Sequence, residues 1–478
     1  MRILQTIVLF FILSSLSAKD KPNVLFIAID DLNDFVGCMN GAISAKTPNI
    51  DRLAQSGTLF TNAHCQAPIC GPSRASIMTG LYPVNTGNYL QLNDQDIKKS
   101  NDLTKKAIFM PDFFENHGYK TMAVGKIYHK GDGANTFDEY GGKFSWFGPR
   151  PKEKFNYDPK KIEGKVGNTN TDWGIYPEHD SLMTDYKSAA WAVNKLQQKH
   201  NDPFFLAVGF VRPHVPWYAT QKWFDMYPLD QIQTPPYNPS DFEDIPLMGY
   251  RVSQAPMMPT TEELITQHKW KEMVQAYLAC ISFVDAQVGK VLDALENSDY
   301  AKNTIVVLWS DHGYHLGEKN RVAKQALWER DTRTILVLKT PEGNGGQKCK
   351  APVQLVDMYP TLTELCQLPA YALAEGHSLV NFLTHPEAKS AHPAVSYYGE
   401  GNMSIRSERY RLIKYEDGSM ELYDMEKDPN EWHNLAYDKT YQSVIKDLLV
   451  AAPEVWAPLS HYSHYSFNEY FIKKSDKK

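Results

Sequence analysis

Short, continuously apolar segments recur along the chain, and helical patterns separate them. A strand buried on both faces of a parallel sheet forms an unbroken apolar run, whereas a half-exposed strand alternates between apolar and polar residues. The runs of this kind cover residues 24–29, 121–124, 204–211, 305–309 and 335–338. Helical periodicity lies between them, for example over 188–198 and 273–295. The alternation predicts a doubly wound α/β fold, with a mostly parallel sheet and helices on both faces.

The pattern changes after about residue 385. Residues 403–406, 410–415 and 421–423 have the pattern of short antiparallel strands with a turn at Asp417-Gly418, and a final helix is predicted over 441–449. A chain of 478 residues exceeds the usual size of one core. We therefore expect a large domain over 19–385 and a smaller C-terminal α+β domain with an antiparallel sheet over 386–478.

The first 18 residues have the pattern of a secretory signal peptide. Arg2 precedes an uncharged apolar stretch, which ends in small residues at Ser17-Ala18 before the charged pair Lys19-Asp20. The stretch is short for a membrane span, so cleavage is favoured over an uncleaved anchor. We expect an exported protein, periplasmic or extracellular, with no membrane span after signal cleavage.

Composition narrows the function only a little. The chain is 42% hydrophobic and 22% charged, as in ordinary soluble globular proteins. Its formal net charge of −6 gives no indication of nucleic-acid binding. Six cysteines are too few and too scattered for a disulfide framework in a protein of this size, and none has the C-x-x-C spacing of zinc sites.

Polar residues collect where the predicted strands end. Asp30-Asp31 follows the first run, Lys126 and His129 follow the second, His214 follows the third, and Asp311-His312 follows the fourth. The carboxyl ends of parallel strands meet at one edge of a sheet, where ligands bind. Three aspartates brought together there repel each other unless a cation lies between them, and carboxylate oxygens suit Ca²⁺ or Mg²⁺.

A predicted helix over 70–80 points to an anionic ligand. Pro72 suits its first turn and Gly80 its far end, which places Cys70 at or near the N-cap. Free N–H groups and the positive end of the helix dipole would then face a sulfate or phosphate. Arg74 lies four residues on, on the same helix face as Cys70.

The same segment carries a family resemblance. It reads Cys70-Gly71-Pro72-Ser73-Arg74-Ala75-Ser76-Ile77-Met78-Thr79-Gly80 and matches the type I sulfatase signature C-x-P-S-R-x-x-x-[LM]-T-G. The resemblance extends along nearly the whole chain and is strongest to the iduronate-2-sulfatase group and its bacterial relatives. Further matching stretches include Ile29-Asp30-Asp31-Leu32, Thr47-Pro48-Asn49-Ile50-Asp51, Pro213-His214, Ser310-Asp311-His312-Gly313 and Glu421-Leu422-Tyr423-Asp424.

The resemblance implies an alkaline-phosphatase-like catalytic domain and a set of site residues. A maturation enzyme, either formylglycine-generating or sulfatase-maturating, would oxidise Cys70 to formylglycine (3-oxoalanine), whose hydrate attacks sulfur and later expels sulfate. One Ca²⁺ would be held by that residue with Asp30, Asp31, Asp311 and His312. Arg74 and Lys126 would hold the hydrate, His129 would remove its proton, and His214 and Lys324 would contact the sulfate. Arg212 departs from the family pattern, in which the nearest relatives carry Lys, and Thr334-Ile335 replaces a common Val-Pro pair.

Three functions fit these observations. The first is a sulfatase acting on a sulfated carbohydrate, for which a 2-O-sulfated uronate is one candidate. The second is a phosphonate or phosphate ester hydrolase of the same superfamily, and the third is a non-catalytic glycan-binding protein. Residues 143–165 contain seven basic residues and three acidic ones, interleaved with aromatics, which fits an anionic sugar or a solvated loop. The basic side chains there are Lys143, Arg150, Lys152, Lys154, Lys160, Lys161 and Lys165, and the aromatic ones are Phe144, Trp146, Phe147, Phe155 and Tyr157.

Overall fold

The structure is a computed structural model that describes residues 21–475, apart from 42, 131–134, 146, 166 and 466. The predicted signal peptide and Trp146 lie outside the described residues. Among the described helices, none combines the length and the apolar character needed to cross a membrane.

The strands in the described part of the chain belong to three sheets. In chain order they are β1 (Asn23–Ile29), β2 (Thr58–His64), β3 (Lys120–Gly125), β4 (Glu139–Tyr140), β5 (Trp173–Ile175), β6 (Phe204–Phe210), β7 (Trp217–Ala219), β8 (Thr304–Ser310), β9 (Arg333–Lys339), β10 (Gln347–Cys349), β11 (Val353–Gln354), β12 (Ala394–Tyr397), β13 (Met403–Arg406), β14 (Tyr410–Lys414) and β15 (Met420–Asp424).

The α-helices of the same residues vary from one turn to more than seven. They are α1 (Pro48–Ser56), α2 (Cys70–Thr79), α3 (Pro83–Thr86), α4 (Asp102–Lys106), α5 (Met110–Glu115), α6 (Thr184–Leu196), α7 (Gln221–Phe224), α8 (Leu247–Val252), α9 (Thr261–Thr266), α10 (Trp270–Glu296), α11 (Glu329–Thr332), α12 (Met358–Leu365), α13 (Val380–Thr384), α14 (Gln442–Leu449) and α15 (Glu469–Ser475).

The central sheet has the order β10-β2-β9-β8-β1-β6-β3-β4, and β11 also pairs with β2. Its middle strands β8, β1, β6 and β3 are all parallel to one another, as the apolar runs predicted. The run at 335–338 is a strand, β9, but it lies antiparallel to both β8 and β2. The expectation that every run belongs to the parallel set was therefore wrong for this one, because an apolar run indicates burial and not direction.

Helices cover both faces of this sheet. On β1, Leu25, Ile27 and Ile29 pack into one hydrophobic cluster, which includes the buried faces of α1, α6 and α10. The alternating residues Val24 and Phe26 pack into a second cluster on the other face, with α2, α5 and α12. The doubly wound α/β fold, with a mostly parallel sheet and helices on both faces, is thereby confirmed.

The C-terminal region forms an antiparallel sheet in the order β12-β13-β14-β15, as predicted for its last three strands. The missed strand β12 joins this sheet to the central one. The Tyr397 amide donates to the Gln66 carbonyl at 2.8 Å, and the Ser396 hydroxyl donates to the Cys65 carbonyl at 2.5 Å. The domain boundary at 385/386 stays a prediction.

A charge network connects α11 to the C-terminal sheet. Glu329 accepts hydrogen bonds from Arg406 at 3.1 Å and from Arg411, whose side chain is fully buried. Burial opposes the shift, but the two arginines hold the pKa of Glu329 well below its ordinary value. A buried charge that loses its partner is strongly destabilising.

We expect Glu329→Gln to lower the free energy of unfolding by about 3 kcal/mol at neutral pH, because it leaves Arg406 without its carboxylate partner and Arg411 with Glu431 alone. Urea titration measures this. Since the pKa of folded Glu329 is depressed, the stabilisation is present above pH of about 4.3 and is lost as the pH falls further. The control is Glu469→Gln, whose exposed pair with Lys473 is worth at most about 1 kcal/mol. Equal effects of the two variants would contradict the expectation.

Candidate active site

Four neighbouring parallel strands bring the predicted site residues to one edge of the sheet. Asp30 and Asp31 follow β1, Asp311 and His312 follow β8, and Lys126 follows β3. His214 lies four residues after the end of β6. Residues almost three hundred positions apart in the sequence are therefore in contact, and nearly all of them are buried.

The helix α2 presents Cys70 to this edge. Ile69 is its N-cap and Cys70 its first residue, one position from the cap that the sequence predicted. Gly80 ends the helix with a φ of 73°, a backbone conformation that glycine adopts without strain. All ten residues of α2 are buried, so the segment is surrounded by protein on every side.

Cys70 Sγ lies close to the side chains of three other site residues. It lies 2.9 Å from Lys324 Nζ, 3.3 Å from His312 Nε2 and 3.7 Å from Asp31 Oδ1. Burial raises the pKa of the thiol, but the charges of Lys126 and Lys324 outweigh it and lower the pKa below its ordinary value. The position therefore stabilises negative charge on the atom that residue 70 presents.

Arg74 has a structural role that the resemblance did not imply. Its Nε donates to Asp311 Oδ2 at 2.9 Å and its Nη2 to Asp30 Oδ1 at 3.0 Å. Its Nη1 donates to the carbonyls of Lys126 and Ile127 at 2.7 and 2.9 Å. Most of its donors are thus used by the chain itself, which leaves little of the guanidinium to hold a hydrate.

Asp31 is held in an unusual conformation. Its φ is 58°, in the left-handed region that non-glycine residues seldom adopt. The Tyr277 hydroxyl donates to its carbonyl at 2.7 Å, and its own amide donates to Asp311 Oδ1 at 3.1 Å. Burial raises the pKa of Asp31 to about 7, although the Lys324 charge opposes the shift. Its Oδ2 is buried and has no hydrogen-bond partner within the described residues.

His312 presents Nε2 to the same space. Its Nδ1 lies 2.8 Å from the Gly313 carbonyl, which can only accept, so Nδ1 carries the proton. In the neutral ring Nε2 then has a free lone pair, the state in which imidazole binds a metal. Burial lowers the pKa of His312, but the charges of Asp311 and Cys70 raise it to about 9.

These donors fit a divalent cation. The ligand atoms of Asp31, Cys70, Asp311 and His312 all lie within 4.8 Å of one another, and so do those of a second group in which Asp30 and His214 join Asp31 and Cys70. The unpartnered Asp31 Oδ2 is the strongest sign, because a buried carboxylate oxygen is costly unless something positive binds it. Carboxylate-rich sites favour hard cations.

Three further predicted residues surround this cluster. Lys126 forms a short ion pair with Asp30, and Lys324 Nζ lies 2.6 Å from Asp31 Oδ1. His214 Nε2 is 3.8 Å from Asp31 Oδ2, while its Nδ1 bonds the Val215 carbonyl at 2.7 Å. The side chains of Lys324 and His214 retain 12% and 10% exposure, so they mark the side from which a ligand enters.

A hydrogen bond from its backbone amide fixes the position of His129. Its amide donates to Asp94 Oδ1 at 3.0 Å. Burial and the nearby Lys126 charge together lower the pKa of His129 to about 3. The imidazole is therefore neutral at physiological pH and able to accept a proton.

Arg212 is a residue whose role the sequence did not show. Its Nε donates to the Tyr218 carbonyl at 3.1 Å, its Nη1 to the His214 carbonyl at 3.2 Å and its Nη2 to the Phe147 carbonyl at 3.1 Å. A lysine could not make these three directed contacts with one ammonium group. The sequence shows that arginine stands here in place of the family's lysine, but not which carbonyls its side chain contacts.

Two lysines of the basic segment 143–165 are engaged in structure. Lys154 Nζ donates to the Thr169 and Thr171 carbonyls at 2.7 and 3.2 Å, and Lys165 Nζ lies 2.9 Å from Glu263. Phe147 instead reaches the site, where its ring stacks on His214 with centroids 4.8 Å apart. Whether the segment binds an anionic sugar or is a solvated loop stays open, and Phe147 is its residue that contacts His214.

Comparisons with known proteins agree with this geometry. A family model described as Sulfatase matches residues 22–368, and one described as N-sulphoglucosamine sulphohydrolase, C-terminal, matches 317–455. A sulfatase of Formosa agariphila is 48% identical over 460 residues, which cover 95% of this chain and 91% of that protein. Iduronate 2-sulfatase of Mus musculus is 31% identical over 404 residues, covering 74% and 70%.

The fold is shared more widely. The solved structure of a phosphonate monoester hydrolase from Silicibacter pomeroyi matches with a TM-score of 0.71 at 21% identity, covering 89% of this chain and 93% of that one. Such a likeness shows the fold alone. The family follows from the sequence matches, because one model spans most of the chain and a sulfatase relative matches nearly all of it. The chain belongs to the sulfatase family and is a sulfuric ester hydrolase.

Proposed function

We propose that this sulfatase is an exported enzyme that hydrolyses a sulfate ester on a sulfated sugar, using formylglycine made from Cys70. The observation that carries the proposal is the position of Cys70, at the start of a buried helix and within 4 Å of Lys324, His312 and Asp31. Cys70 Sγ stands where the oxygen of the modified residue would lie. Once hydrated, the modified residue would supply one hydroxyl to attack sulfur and a second hydroxyl whose deprotonation would let sulfate leave.

The cationic residues would make this attack possible. A sulfate monoester is anionic and repels nucleophiles, so its oxygens must be neutralised as sulfur is approached. Lys324 and His214 are the partly exposed members of the cluster, so we assign them to the ester oxygens. Lys126 is fully buried beside Asp30, so it sets the charge around residue 70 and does not reach out to the sugar.

Proton transfer is assigned to the histidines. His129 is neutral because burial and Lys126 depress its pKa, so it can accept a proton from residue 70. Burial also lowers the pKa of His214 well below its ordinary value. Proton donation to the leaving sugar oxygen is assigned to Lys324 or to His214, which would first have to take up a proton beside the anionic ester.

One Ca²⁺ is proposed to be held by Asp30, Asp31, Asp311, His312 and residue 70. When bound, the ion would polarise the sulfate and stabilise a deprotonated oxygen on residue 70. Arg74 would act as the positioning residue for this site, since it fixes the orientation of both Asp30 and Asp311. The intact set argues against a non-catalytic glycan-binding protein, which does not need it.

The proposal also includes a substrate, export of the protein and an enzyme that modifies Cys70. Similarity to an iduronate 2-sulfatase supports a 2-O-sulfated uronate within a glycosaminoglycan or other polysaccharide fragment. The signal pattern at residues 1–18 supports export. A formylglycine-generating or sulfatase-maturating enzyme would be the partner that modifies Cys70.

The modification is tested on Cys70 itself. Peptide mass spectrometry of active enzyme should show the aldehyde at position 70, and Cys70→Ala should lose at least about a thousandfold in kcat/KM because the nucleophile is absent. Cys38→Ala is the matched control and should keep full activity, since Cys38 lies outside the site. Active enzyme with only unmodified Cys70 would refute the assignment.

The cation is tested by metal analysis and stability together. The purified enzyme should carry about one Ca²⁺ per chain, and added Ca²⁺ should raise its Tm after chelation, because a ligand bound only by the folded state stabilises it. Asp311→Ala should lose both the metal and the Tm response, whereas Asp230→Asn, at an exposed aspartate, should lose neither. Full activity and an unchanged Tm in excess chelator would exclude the ion.

The reaction class is tested with a panel of esters. Aryl sulfate should be hydrolysed with a much higher kcat/KM than aryl phosphate or a phosphonate monoester. Among sugars, a 2-O-sulfated uronate should react faster than hexoses with sulfate at O4 or O6. Preference for the phosphorus esters would overturn the reaction, and inert 2-O-sulfated uronates beside reactive hexoses would overturn only the substrate.

A further inference from the structure

Phe147 forms part of the wall of the active site. Its ring stacks on the imidazole of His214, with an interplanar angle of 29° and a centroid distance of 4.8 Å. Lys126 Nζ lies 5.9 Å from the centre of the same ring. The ring is half-buried, so it faces two site residues and also reaches the surface.

The loop that carries Phe147 is held in place on both sides of the ring. Phe144 and Ser145 have φ values of 44° and 63°, in the left-handed region, and Thr184 Oγ1 donates to the Phe144 carbonyl at 2.9 Å. Arg212 Nη2 donates to the Phe147 carbonyl at 3.1 Å. Strained backbone persists only where its surroundings fix it, and such positions cluster at ligand sites.

Arg150 lies at the outer side of this wall. Its guanidinium carbon is 5.5 Å from the Phe147 ring centre and its side chain is exposed. The two ring distances place the guanidinium no more than about 10 Å from the imidazole of His214. Within the described ranges Arg150 forms no hydrogen bond or ion pair, so its five N–H donors face solvent.

The other cations of the segment are less well placed. Lys154 and Lys165 donate to backbone carbonyls, and Lys161 lies 3.7 Å from Glu153. Lys152 is exposed, but within the described residues no ring contact links it to the site. Arg150 is thus an exposed cation that lies against Phe147, and the Phe147 ring in turn stacks on His214 of the site.

We propose that Arg150, held against Phe147, determines specificity by binding a second anionic group on the sugar that carries the scissile sulfate. This inference rests on the proposed function of the same site. A guanidinium matches the two oxygens of a carboxylate or sulfate with parallel hydrogen bonds. The nearby ring limits the freedom of the arginine and excludes water from one side, which strengthens such a pair. The second group would be a uronate carboxylate or another sulfate.

The test compares substrates that differ only in that group. Wild type, Arg150→Ala, Arg150→Lys and the control Lys152→Ala are assayed on a 2-O-sulfated uronate disaccharide, its carboxyl-reduced counterpart, the same reduced sugar with a 6-O-sulfate, and an aryl sulfate. For Arg150→Ala, kcat/KM on the uronate should fall about tenfold to a hundredfold, mainly through KM. The reduced sugar and the aryl sulfate should change by less than about twofold, Arg150→Lys should restore part of the loss, and Lys152→Ala should behave as wild type.

The arms of the assay separate the possible results. If the 6-O-sulfated reduced sugar also depends on Arg150, the arginine binds sulfate as well as carboxylate. An equal loss on charged and uncharged substrates would show that Arg150 only supports the loop, and no loss on any of them would show a solvated side chain. Either of these results overturns the inference and leaves the proposed function intact.

A binding measurement makes the test independent of turnover. In a Cys70→Ala background, which cannot be modified, calorimetry with the intact 2-O-sulfated disaccharide should show at least about tenfold weaker binding when Arg150→Ala is added. If wild type hydrolyses no sulfate ester while this difference persists, the proposed function fails and Arg150 remains an anion-binding residue. If the affinities are equal, the inference fails whatever the activity.

Discussion

The buried guanidinium of Arg74 connects three of the strands that carry the site. From α2 it reaches Asp30 after β1, Asp311 after β8 and the carbonyls of Lys126 and Ile127 after β3. Breaking such a buried pair costs about 3–5 kcal/mol, because a charge is left without a partner. The contacts also orient α2, so the position of Cys70 depends on them. One residue thereby fixes both the carboxylate cluster and the atom that the cluster faces.

The site is divided into a fixed interior and an adaptable rim. The interior consists of buried residues whose charges balance one another, and it determines the chemistry. The rim is held by Arg212, which joins the Phe147 loop to the His214 and Tyr218 carbonyls. Because the rim is formed largely by loop residues and not by the ends of the central strands, a relative could change its substrate there without disturbing the interior.

The sequence predicted the interior better than the rim. Unbroken apolar runs revealed β1, β3, β6 and β8, and the polar residues after them became neighbours once those strands were placed side by side. The strand β2 was missed because Thr61, Asn62 and His64 interrupt its apolar pattern. The antiparallel direction of β9 relative to β8 could not be predicted from the composition of its apolar run. The partners of Arg212 and the contact of Phe147 with His214 depend on loop conformation. The hydrophobic periodicity of the sequence does not predict that conformation.

The complete burial of α2 limits the stage at which another enzyme could recognise the segment around Cys70. Any enzyme that recognises the segment around Cys70 must bind its backbone and side chains, including Pro72 and Arg74. In the folded chain all ten residues of the helix are enclosed, and extracting them would break the ion pairs of Arg74. Recognition is therefore possible only while the chain is still extended. Under the proposed function, Cys70 would be open to oxidation only for a limited period during biosynthesis, and a molecule that folded first would keep its thiol.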